Sequence, residues 1–337
     1  MRLSAYFTQH VWSRRGWVAC LLWPITLLSG SWVLLNRLLY EHGWRQSVRL
    51  PVPVLVVGNV VAGGTGKTPV VISLVQHFTA KGFRVGVIAR AYGSAQESVK
   101  EVHHHSQAAD AGDEPLLVKQ RCKVPVFVGR KRALAAQALL SAYPNTDLII
   151  SDDGMQHHAL QHDIAICVFD DRGCGNGWLL PAGPLREPWP TDPPIGVTRH
   201  VLYTGEQHPR DAWVAKRSLA AYARNGADEQ RDLREWAGQA VQALAAIAKP
   251  DVFFQALAQA GLQLVQRWPL PDHASLSHWK PDSPLPIFCT EKDAVKLWPH
   301  LPQAWAVPLV CELPLPLLDA LALNLQQLSL IHGQKTA

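Results

Sequence analysis

The segment that most constrains the fold is residues 52–69, which read VPVLVVGNVVAGGTGKTP. Its apolar run, residues 54–57, is typical of a strand with both faces covered, as in a parallel sheet. A glycine-rich run and Gly-Lys-Thr follow, and residues 69–81 have the pattern of a helix. The order of strand, glycine-rich loop and helix predicts a phosphate-binding loop.

The loop residues predicted to bind nucleotide are Gly63, Gly64, Thr65, Gly66, Lys67 and Thr68. Glycines let successive backbone N–H groups face a polyphosphate, and the helix N-terminus adds a partial positive charge. We expect Lys67 to reach the β/γ-phosphates and the Thr68 hydroxyl to bind Mg²⁺. Val61 stands where this motif usually begins with glycine, so Gly63 and Gly64 are expected to supply the flexibility. The alternative is a glycine-rich turn with a chance Gly-Lys-Thr.

A second signal is the apolar segment 147–153, DLIISDD, which ends in two acids. Because Mg²⁺ is a hard cation that prefers carboxylate oxygens, Asp152 and Asp153 are predicted to lie at the metal beside the phosphate loop. Adjacent side chains at a strand end point in different directions, so one acid can bind the metal while the other orients water or a base. The alternative is a pair of acids that only begins a turn.

Basic residues and one histidine complete the candidate site. Residues 130–132, Arg-Lys-Arg, fall in the first turn of a predicted helix over 130–143, where cations oppose the helix dipole and are either solvated or held for an anionic ligand. Arg186 lies in a long loop rich in glycine and proline and is a candidate phosphate clamp. His273 follows Asp272 at a predicted strand end, and its structural and catalytic interpretations remain equally open.

The N-terminus differs from the rest of the chain. Residues 17–35 carry no charge, and five of the 13 tryptophans fall within the first 44 residues. About 20 apolar residues can span a bilayer, and indole rings favour the headgroup level. Basic residues on both flanks, with Pro24 and Gly30 inside the run, favour a helix lying in the interface or a re-entrant hairpin. A buried helix of the core is the alternative, and membrane spanning remains open.

Composition narrows the class of protein. The 337 residues can bury a full core, and the net charge of +5 comes without a basic block or basic–aromatic interleaving, so we expect no nucleic-acid partner. Six cysteines without a Cys-x-x-Cys pair argue against zinc or a disulfide framework and fit a cytosolic protein. The strand–helix order predicts an α/β fold: a P-loop NTPase-like parallel sheet with helices on both faces, an N-terminal membrane-associated helix and a smaller C-terminal α/β lobe. The predicted divisions are 1–48, 49–205 and 206–337.

Six motifs, in this order, resemble the tetraacyldisaccharide 4'-kinase family, the lipid A 4'-kinases of Gram-negative bacteria. They are GGTGKTP (63–69), GDEP (112–115), DDGMQH (152–157), LPAGPLREP (180–188), DH (272–273) and TEKDAVK (290–296). The resemblance covers nearly the whole chain, including the apolar N-terminus.

The resemblance implies ATP-dependent phosphorylation of the 4'-hydroxyl of a tetraacylated glucosamine disaccharide 1-phosphate. It implies a monotopic enzyme, or one with a single N-terminal anchor, at the cytoplasmic face of the inner membrane, with a lipid substrate and with ATP and Mg²⁺ as cofactors. By position, Asp113 is the base that accepts the sugar hydroxyl proton, paired with His273. Arg90, Arg132 and Arg186 hold phosphate oxygens of ATP or of the lipid.

The rival hypothesis from another class is a switch or partition ATPase at the membrane, built on a variant phosphate loop. Such proteins carry a lysine at the start of the glycine cluster, where this chain has Ala62. A switch would hydrolyse ATP without a lipid acceptor, which distinguishes the two.

Overall fold

The computed structural model describes residues 7–90, 98–272 and 274–335. Its helices are α1 (Trp17–Glu41), α2 (Lys67–Ala80), α3 (Ala108–Ala111), α4 (Asp113–Cys122), α5 (Arg132–Ala142), α6 (Pro250–Gln259), α7 (Glu291–Leu297) and α8 (Leu315–Lys335). A π-helical turn at Phe7–Val11 and a 3-10 helix at Leu233–Trp236 add to these.

Two sheets carry the fold. The first is an eight-stranded sheet in the order β3-β4-β2-β5-β1-β6-β7-β8, parallel except at β3. Its strands are β1 (Val54–Gly58), β2 (Val85–Ala89), β3 (Lys100–Glu101), β4 (Val126–Val128), β5 (Leu148–Asp152), β6 (Ile164–Phe169), β7 (Thr198–Tyr203) and β8 (Trp213–Val214). The strands β1, β2, β4, β5 and β6 are buried along their whole length, as continuous apolar runs predict.

The second sheet has six strands in the order β11-β10-β15-β14-β12-β13, and β9 and β16 form a separate antiparallel pair. These strands are β9 (Lys216–Leu219), β10 (Tyr222–Arg224), β11 (Gln230–Asp232), β12 (Ala240–Ala245), β13 (Gln263–Pro269), β14 (Ile287–Thr290), β15 (Trp305–Val307) and β16 (Leu309–Glu312). The chain enters the second sheet just after β9 and leaves it into β16, so this pair lies on both connections between the sheets. The strand β8, at residues 213–214, still belongs to the first sheet, and the division into domains at 206 stays a prediction.

The core of the first sheet includes both early and late parts of the chain. Leu317, Leu318, Leu321 and Leu325 of α8 pack with α2 residues such as Leu74.

The helix α1 runs unbroken for 25 residues, with Pro24 inside it, so the re-entrant hairpin was wrong. Only Ala19 and Thr26 are buried along it, whereas Trp17, Leu21 and Leu28 are more than 70% exposed. The alternative of a buried core helix is therefore also wrong. Among the described residues, α1 is the one helix long and apolar enough to cross a membrane.

Candidate active site

The phosphate loop takes its shape from two glycines and one asparagine. Gly63 and Gly66 have φ values of +96° and +77°, a region that favours glycine. The fully buried Asn59, just after β1, donates from Nδ2 to the carbonyl of Val61 (2.7 Å) and to Thr65 Oγ1 (3.2 Å). Gly63 thus uses the conformational freedom of glycine, while Gly64 lies in open space without a positive φ.

Val61 replaces the usual glycine because its side chain has a packing role. It is 1% exposed and forms a β-bridge to Leu185, beside Phe169 in a small apolar cluster. The backbone N–H of Ala62 also donates to the carbonyl of Pro184 at 2.7 Å. The phosphate loop is therefore attached to the segment 184–186.

Arg172 supports the loop from the other direction. Its Nε donates to both carboxylate oxygens of Asp170 at 2.9 Å, and its two Nη atoms donate to the carbonyls of Ala62 (3.2 Å) and Gly64 (2.8 Å). Its donors are thus used for holding the loop.

The acid pair lies beside the loop because β5 pairs with β1, with Asp152 opposite Val57. The Thr68 hydroxyl donates to Asp152 Oδ2 at 3.4 Å. Asp153, in a left-handed conformation with φ +52°, accepts instead from Lys67 Nζ at 3.3 Å and from Arg186 Nη1 at 3.3 Å. The two acids therefore point in different directions, as predicted, and the ion pairs belong to Asp153.

Their electrostatics differ accordingly. Burial raises the pKa of Asp152 to about 7, with Glu114 and Asp153 adding to the effect against Lys67 and Arg132. Burial also acts to raise the pKa of Asp153, but Lys67 and Arg186 outweigh it, and the result is a lowered pKa. Asp152 Oδ1 is buried and has no hydrogen-bond partner among the described residues. This oxygen is available to a cation.

Arg186 is placed by contacts that reach back to α1. Its backbone N–H donates to the carbonyl of Val60 at 2.7 Å. A few residues earlier, Thr26 of α1 donates to the carbonyl of Leu179 at 3.2 Å, and Ser29 donates to the carbonyl of Leu180. The exposed apolar helix is thus docked on the loop that carries Arg186.

Asn176 fixes the start of that loop. Its buried amide donates to the carbonyls of Ala182 (2.9 Å), Val11 (3.2 Å) and Arg14 (3.4 Å), and its Oδ1 accepts from the N–H of Trp178. The N-terminal residues before α1 are therefore attached to the loop as well.

Asp113, the first residue of α4, lies in a second charged cluster. It is 7% exposed, and its Oδ2 lies 3.1 Å from Lys296 Nζ and 3.9 Å from Lys292 Nζ. Lys292 also contacts Glu114 and Asp272, each at 3.3 Å. The segment at 272 thus lies beside Asp113, while His273 is outside the described residues.

The other two predicted arginines, Arg132 and Arg90, differ in their exposure. Arg132 is 3% exposed, and its guanidinium donates to the carbonyls of Gly129 (3.0 Å) and Asp152 (3.4 Å). The guanidinium of Arg132 is therefore buried against the backbone, and its contact with a phosphate stays a prediction. The helix also begins at Arg132 and not at residue 130. Arg90 is exposed and follows β2. The pKa of His157 is lowered to about 4, mainly by burial, then by the charges of Arg132 and His158, and least by the charge of Arg90.

Sequence reasoning assigned no role to Asn59, to Gln156 or to the two lysines of α7. Gln156 donates from Nε2 to the carbonyl of Asn59 (2.9 Å) and to Glu187 (2.6 Å). These bonds join the motif at 152–157 to the residue that precedes the phosphate loop and to the motif at 180–188. An amide directly after an all-apolar strand was a usable signal for Asn59. Lys292 and Lys296 gave no such signal, because their acidic partner is far away in sequence.

Comparisons with known proteins agree with this geometry. The family model described as Tetraacyldisaccharide-1-P 4'-kinase matches residues 18–326. A Tetraacyldisaccharide 4'-kinase of Acidovorax sp. (strain JS42) is 49% identical over 322 residues, covering 94% of each chain. That of Polaromonas sp. (strain JS666 / ATCC BAA-500) is 48% identical over 339 residues, covering 97% of this chain and 100% of its own.

A solved structure gives the same answer for the fold. The "apo" form of LpxK from Aquifex aeolicus in complex with ATP superposes with a TM-score of 0.76 at 26% identity. The match covers 88% of this chain and 95% of that chain. The chain belongs to the tetraacyldisaccharide-1-P 4'-kinase family.

Proposed function

We propose that this chain is a lipid kinase that transfers the γ-phosphoryl group of ATP to the 4'-hydroxyl of a tetraacylated glucosamine disaccharide 1-phosphate. The product is the 1,4'-bisphosphate, in a step of lipid A biosynthesis. Family membership over nearly the whole chain supports this reaction, and with it the switch-ATPase alternative is dropped. The observation that carries the chemistry is the convergence of Lys67, Thr68 and the acid pair at the edge of one sheet.

ATP is bound at the start of α2. The N–H groups of the loop 63–68 and the partial charge of the helix N-terminus face its phosphates. Lys67 exchanges its contact with Asp153 for the β/γ-phosphates. Arg186 is paired with the same carboxylate and can therefore contact the same phosphates. Asp153 is thus the acid that both cations share in this structure.

Mg²⁺ fits the oxygen atoms of Thr68 and Asp152. Asp152 Oδ1 is a buried oxygen without a hydrogen-bond partner among the described residues, and its carboxyl is disfavoured as an anion by burial. A divalent cation would relieve both conditions. Thr68 and Asp152 would hold the ion, which would supply positive charge to neutralise the charge that develops on the phosphates.

Asp113 accepts the proton of the 4'-hydroxyl as the sugar oxygen bonds to the γ-phosphorus and ADP leaves. Its ion pairs to Lys296 and Lys292 orient the carboxylate. His273, next to Asp272 in the sequence, is its expected partner. Glu114, the neighbour of Asp113, affects the pKa of Asp152, so the base lies near the metal-binding acid.

The test is transfer of labelled phosphate from ATP to the tetraacyl disaccharide 1-phosphate in detergent. Asp113→Asn should lower kcat by about 10²–10⁴-fold with ATP binding intact. The matched control is Asp110→Asn, which removes an exposed acid from the neighbouring turn and should leave kcat unchanged. Lipid-independent ATP hydrolysis without transfer would refute the reaction, and full activity of Asp113→Asn would refute only the base.

The enzyme acts from the cytoplasmic face of the bacterial inner membrane, with α1 in the lipid interface. The side of α1 that contacts the protein carries small or polar residues such as Ala19, Thr26 and Ser29, while large apolar side chains face away. Arg14, Arg15, Arg45 and Arg49 flank it, and each basic residue near anionic lipid adds about 1 kcal/mol to binding.

Co-sedimentation with anionic vesicles tests this placement. Leu28→Glu, at a position 74% exposed on α1, should weaken vesicle binding at least tenfold, because a carboxylate is placed in the lipid layer. Leu134→Glu, at an exposed position on α5, serves as the control. Equal binding of both variants and the unaltered chain would exclude α1 as the contact.

A further inference from the structure

Arg217 is an arginine outside every motif of the family, yet it lies against the phosphate loop. It belongs to β9, where it pairs with Cys311 of β16. Cys311 is buried in the core cluster that includes α2, so this side of the strand pair faces the nucleotide helix. A Cβ atom added at Gly66 would lie 2.8 Å from Arg217 Nη1 and 3.8 Å from its Cζ. The guanidinium therefore lies at the residue where α2 begins.

The guanidinium has no hydrogen-bond or ion-pair partner within the described ranges, in contrast to the other two arginines at this loop. Arg172 is used by Asp170 and by loop carbonyls, and Arg186 is paired with Asp153. The charge of Arg217 helps to lower the pKa of Asp171 without a direct ion pair. The Asp171 carboxylate accepts hydrogen bonds from the backbone N–H groups of Glu206 (2.6 Å) and Gln207 (3.0 Å).

The position suits an anionic ligand. The N-terminus of a helix carries partial positive charge, and the exposed guanidinium of Arg217 adds a full positive charge beside it. An anion bound at the helix N-terminus would be attracted by the helix and by the arginine together. A planar guanidinium also matches phosphate oxygens with two parallel hydrogen bonds.

We propose that Arg217 is a nucleotide-binding residue that contacts the polyphosphate of ATP at the start of α2 and stabilises the charge that develops during transfer. The inference rests on the proposed placement of ATP on the phosphate loop. Arginines contributed by another part of the same chain play this role in other phosphoryl-transfer enzymes. Because β9 lies on a connection between the two sheets, the contact would come from outside the nucleotide-binding sheet.

The test compares Arg217→Ala and Arg217→Lys with Lys216→Ala. Lys216 is the adjacent exposed cation of the same strand, and its side chain lies on the opposite face. Arg217→Ala should lower kcat/KM for ATP by about 10²-fold or more, and Arg217→Lys should recover part of the loss. Lys216→Ala removes the same amount of charge, but from the opposite face of the strand, and should stay within about twofold of the unaltered enzyme.

Binding of a fluorescent ATP analogue and thermal unfolding are measured on the same variants. The proposal predicts weaker ATP binding in Arg217→Ala at an unchanged Tm, which separates a ligand contact from a folding defect. Equal kcat/KM and equal ATP affinity in Arg217→Ala would overturn it, as would an equal loss in Lys216→Ala.

Lys67→Ala distinguishes failure of this inference from failure of the ATP site. Loss of ATP binding in Lys67→Ala with none in Arg217→Ala overturns only the role of Arg217. Undiminished ATP binding in Lys67→Ala would instead refute the phosphate-loop site on which the inference rests.

Discussion

Replacing Asp152 by asparagine should stabilise the metal-free protein while abolishing its activity. The pKa of Asp152 is about 7 in the folded protein, against an ordinary value of 3.8. A difference of about three units corresponds to about 4 kcal/mol, because one unit is about 1.36 kcal/mol. Ionised Asp152 therefore lowers the free energy of unfolding by about this amount, and an uncharged amide removes the penalty.

The sign of the pH dependence follows from the raised pKa. Between about pH 4 and 7 the folded state binds more protons at this site than the unfolded state, so stability falls as pH rises and the penalty is complete above pH 7. The gain from Asp152→Asn should thus grow from about 2 kcal/mol at pH 5 to about 4 kcal/mol at pH 8. For 337 residues, about 4 kcal/mol corresponds to a rise in Tm of about 6 °C.

Asp153→Asn is the matched control, since it changes the adjacent acid with the opposite expected sign. Lys67 and Arg186 hold the pKa of Asp153 below its ordinary value, so its stabilisation is present at neutral pH and lost in acid. Its replacement should lower the free energy of unfolding by about 2 kcal/mol at pH 8.

The assay is thermal unfolding in detergent with EDTA, at pH 5 and pH 8. Mg²⁺ with ATP, at a hundredfold excess over Kd, should then stabilise the unaltered chain by about 2.7 kcal/mol and raise its Tm. The Tm of Asp152→Asn should not rise. The reasoning would be refuted if Asp152→Asn melted no higher than the unaltered chain at pH 8, or if its gain did not shrink at pH 5.

Three further substitutions test the supports of the site. Glu291→Gln should lower the free energy of unfolding by about 3 kcal/mol in chemical denaturation, because its buried carboxylate neutralises Arg121 (2.7 Å) and Arg224 (3.2 Å). Lys296→Met should lower kcat for transfer at least tenfold at unchanged ATP affinity, because Asp113 loses its nearest cation. Asn176→Ala should cost about 2 kcal/mol and speed hydrogen exchange in α1, because the amide joins the loop to the N-terminal residues.

Each of these has a control and a contrary outcome. Glu229→Gln breaks an exposed pair and should cost less than about 1 kcal/mol, so an equal cost would show that burial is not decisive. Lys280→Met removes an exposed lysine of the same lobe and should leave kcat unchanged. Unchanged exchange in α1 of Asn176→Ala would mean that the helix is held independently of the loop.

The sequence predicted the part of the site that is local. The strand β1, the loop 63–68 and α2 are contiguous, and Asp152 follows an apolar strand, so spacing and hydrophobicity were sufficient. The ion pairs of Asp113 with α7 could not be found this way, because the fold brings together segments that share no pattern.

The proline and the glycine inside the N-terminal helix do not break it, although these residue types usually interrupt helices. Pro24 and Gly30 suggested a break, yet α1 continues through both. A Cβ at Gly30 would lie 3.0 Å from Leu179, so this glycine permits close packing on the loop and does not end the helix. The residue types were informative, but their function depended on a distant neighbour.

The region from about residue 206 to 238 gave no readable motif for a physical reason. Its strands β8 to β11 are two to four residues long, and β9 and β11 are mostly exposed. The segments are therefore too short to show an alternation of apolar and polar residues that would predict a strand. Arg217 lies in this region and could only be found through its contact with Gly66.

The leucines of α8 in the core of the first sheet have a consequence for how the protein is made. A bacterial ribosome adds about 5–20 residues per second, and early segments usually fold as they emerge. Here β1 and α2 must wait for Leu317, Leu318, Leu321 and Leu325 before their apolar surface is covered. During that interval α1 has already left the ribosome, so the apolar N-terminal helix is exposed before the core of the first sheet closes.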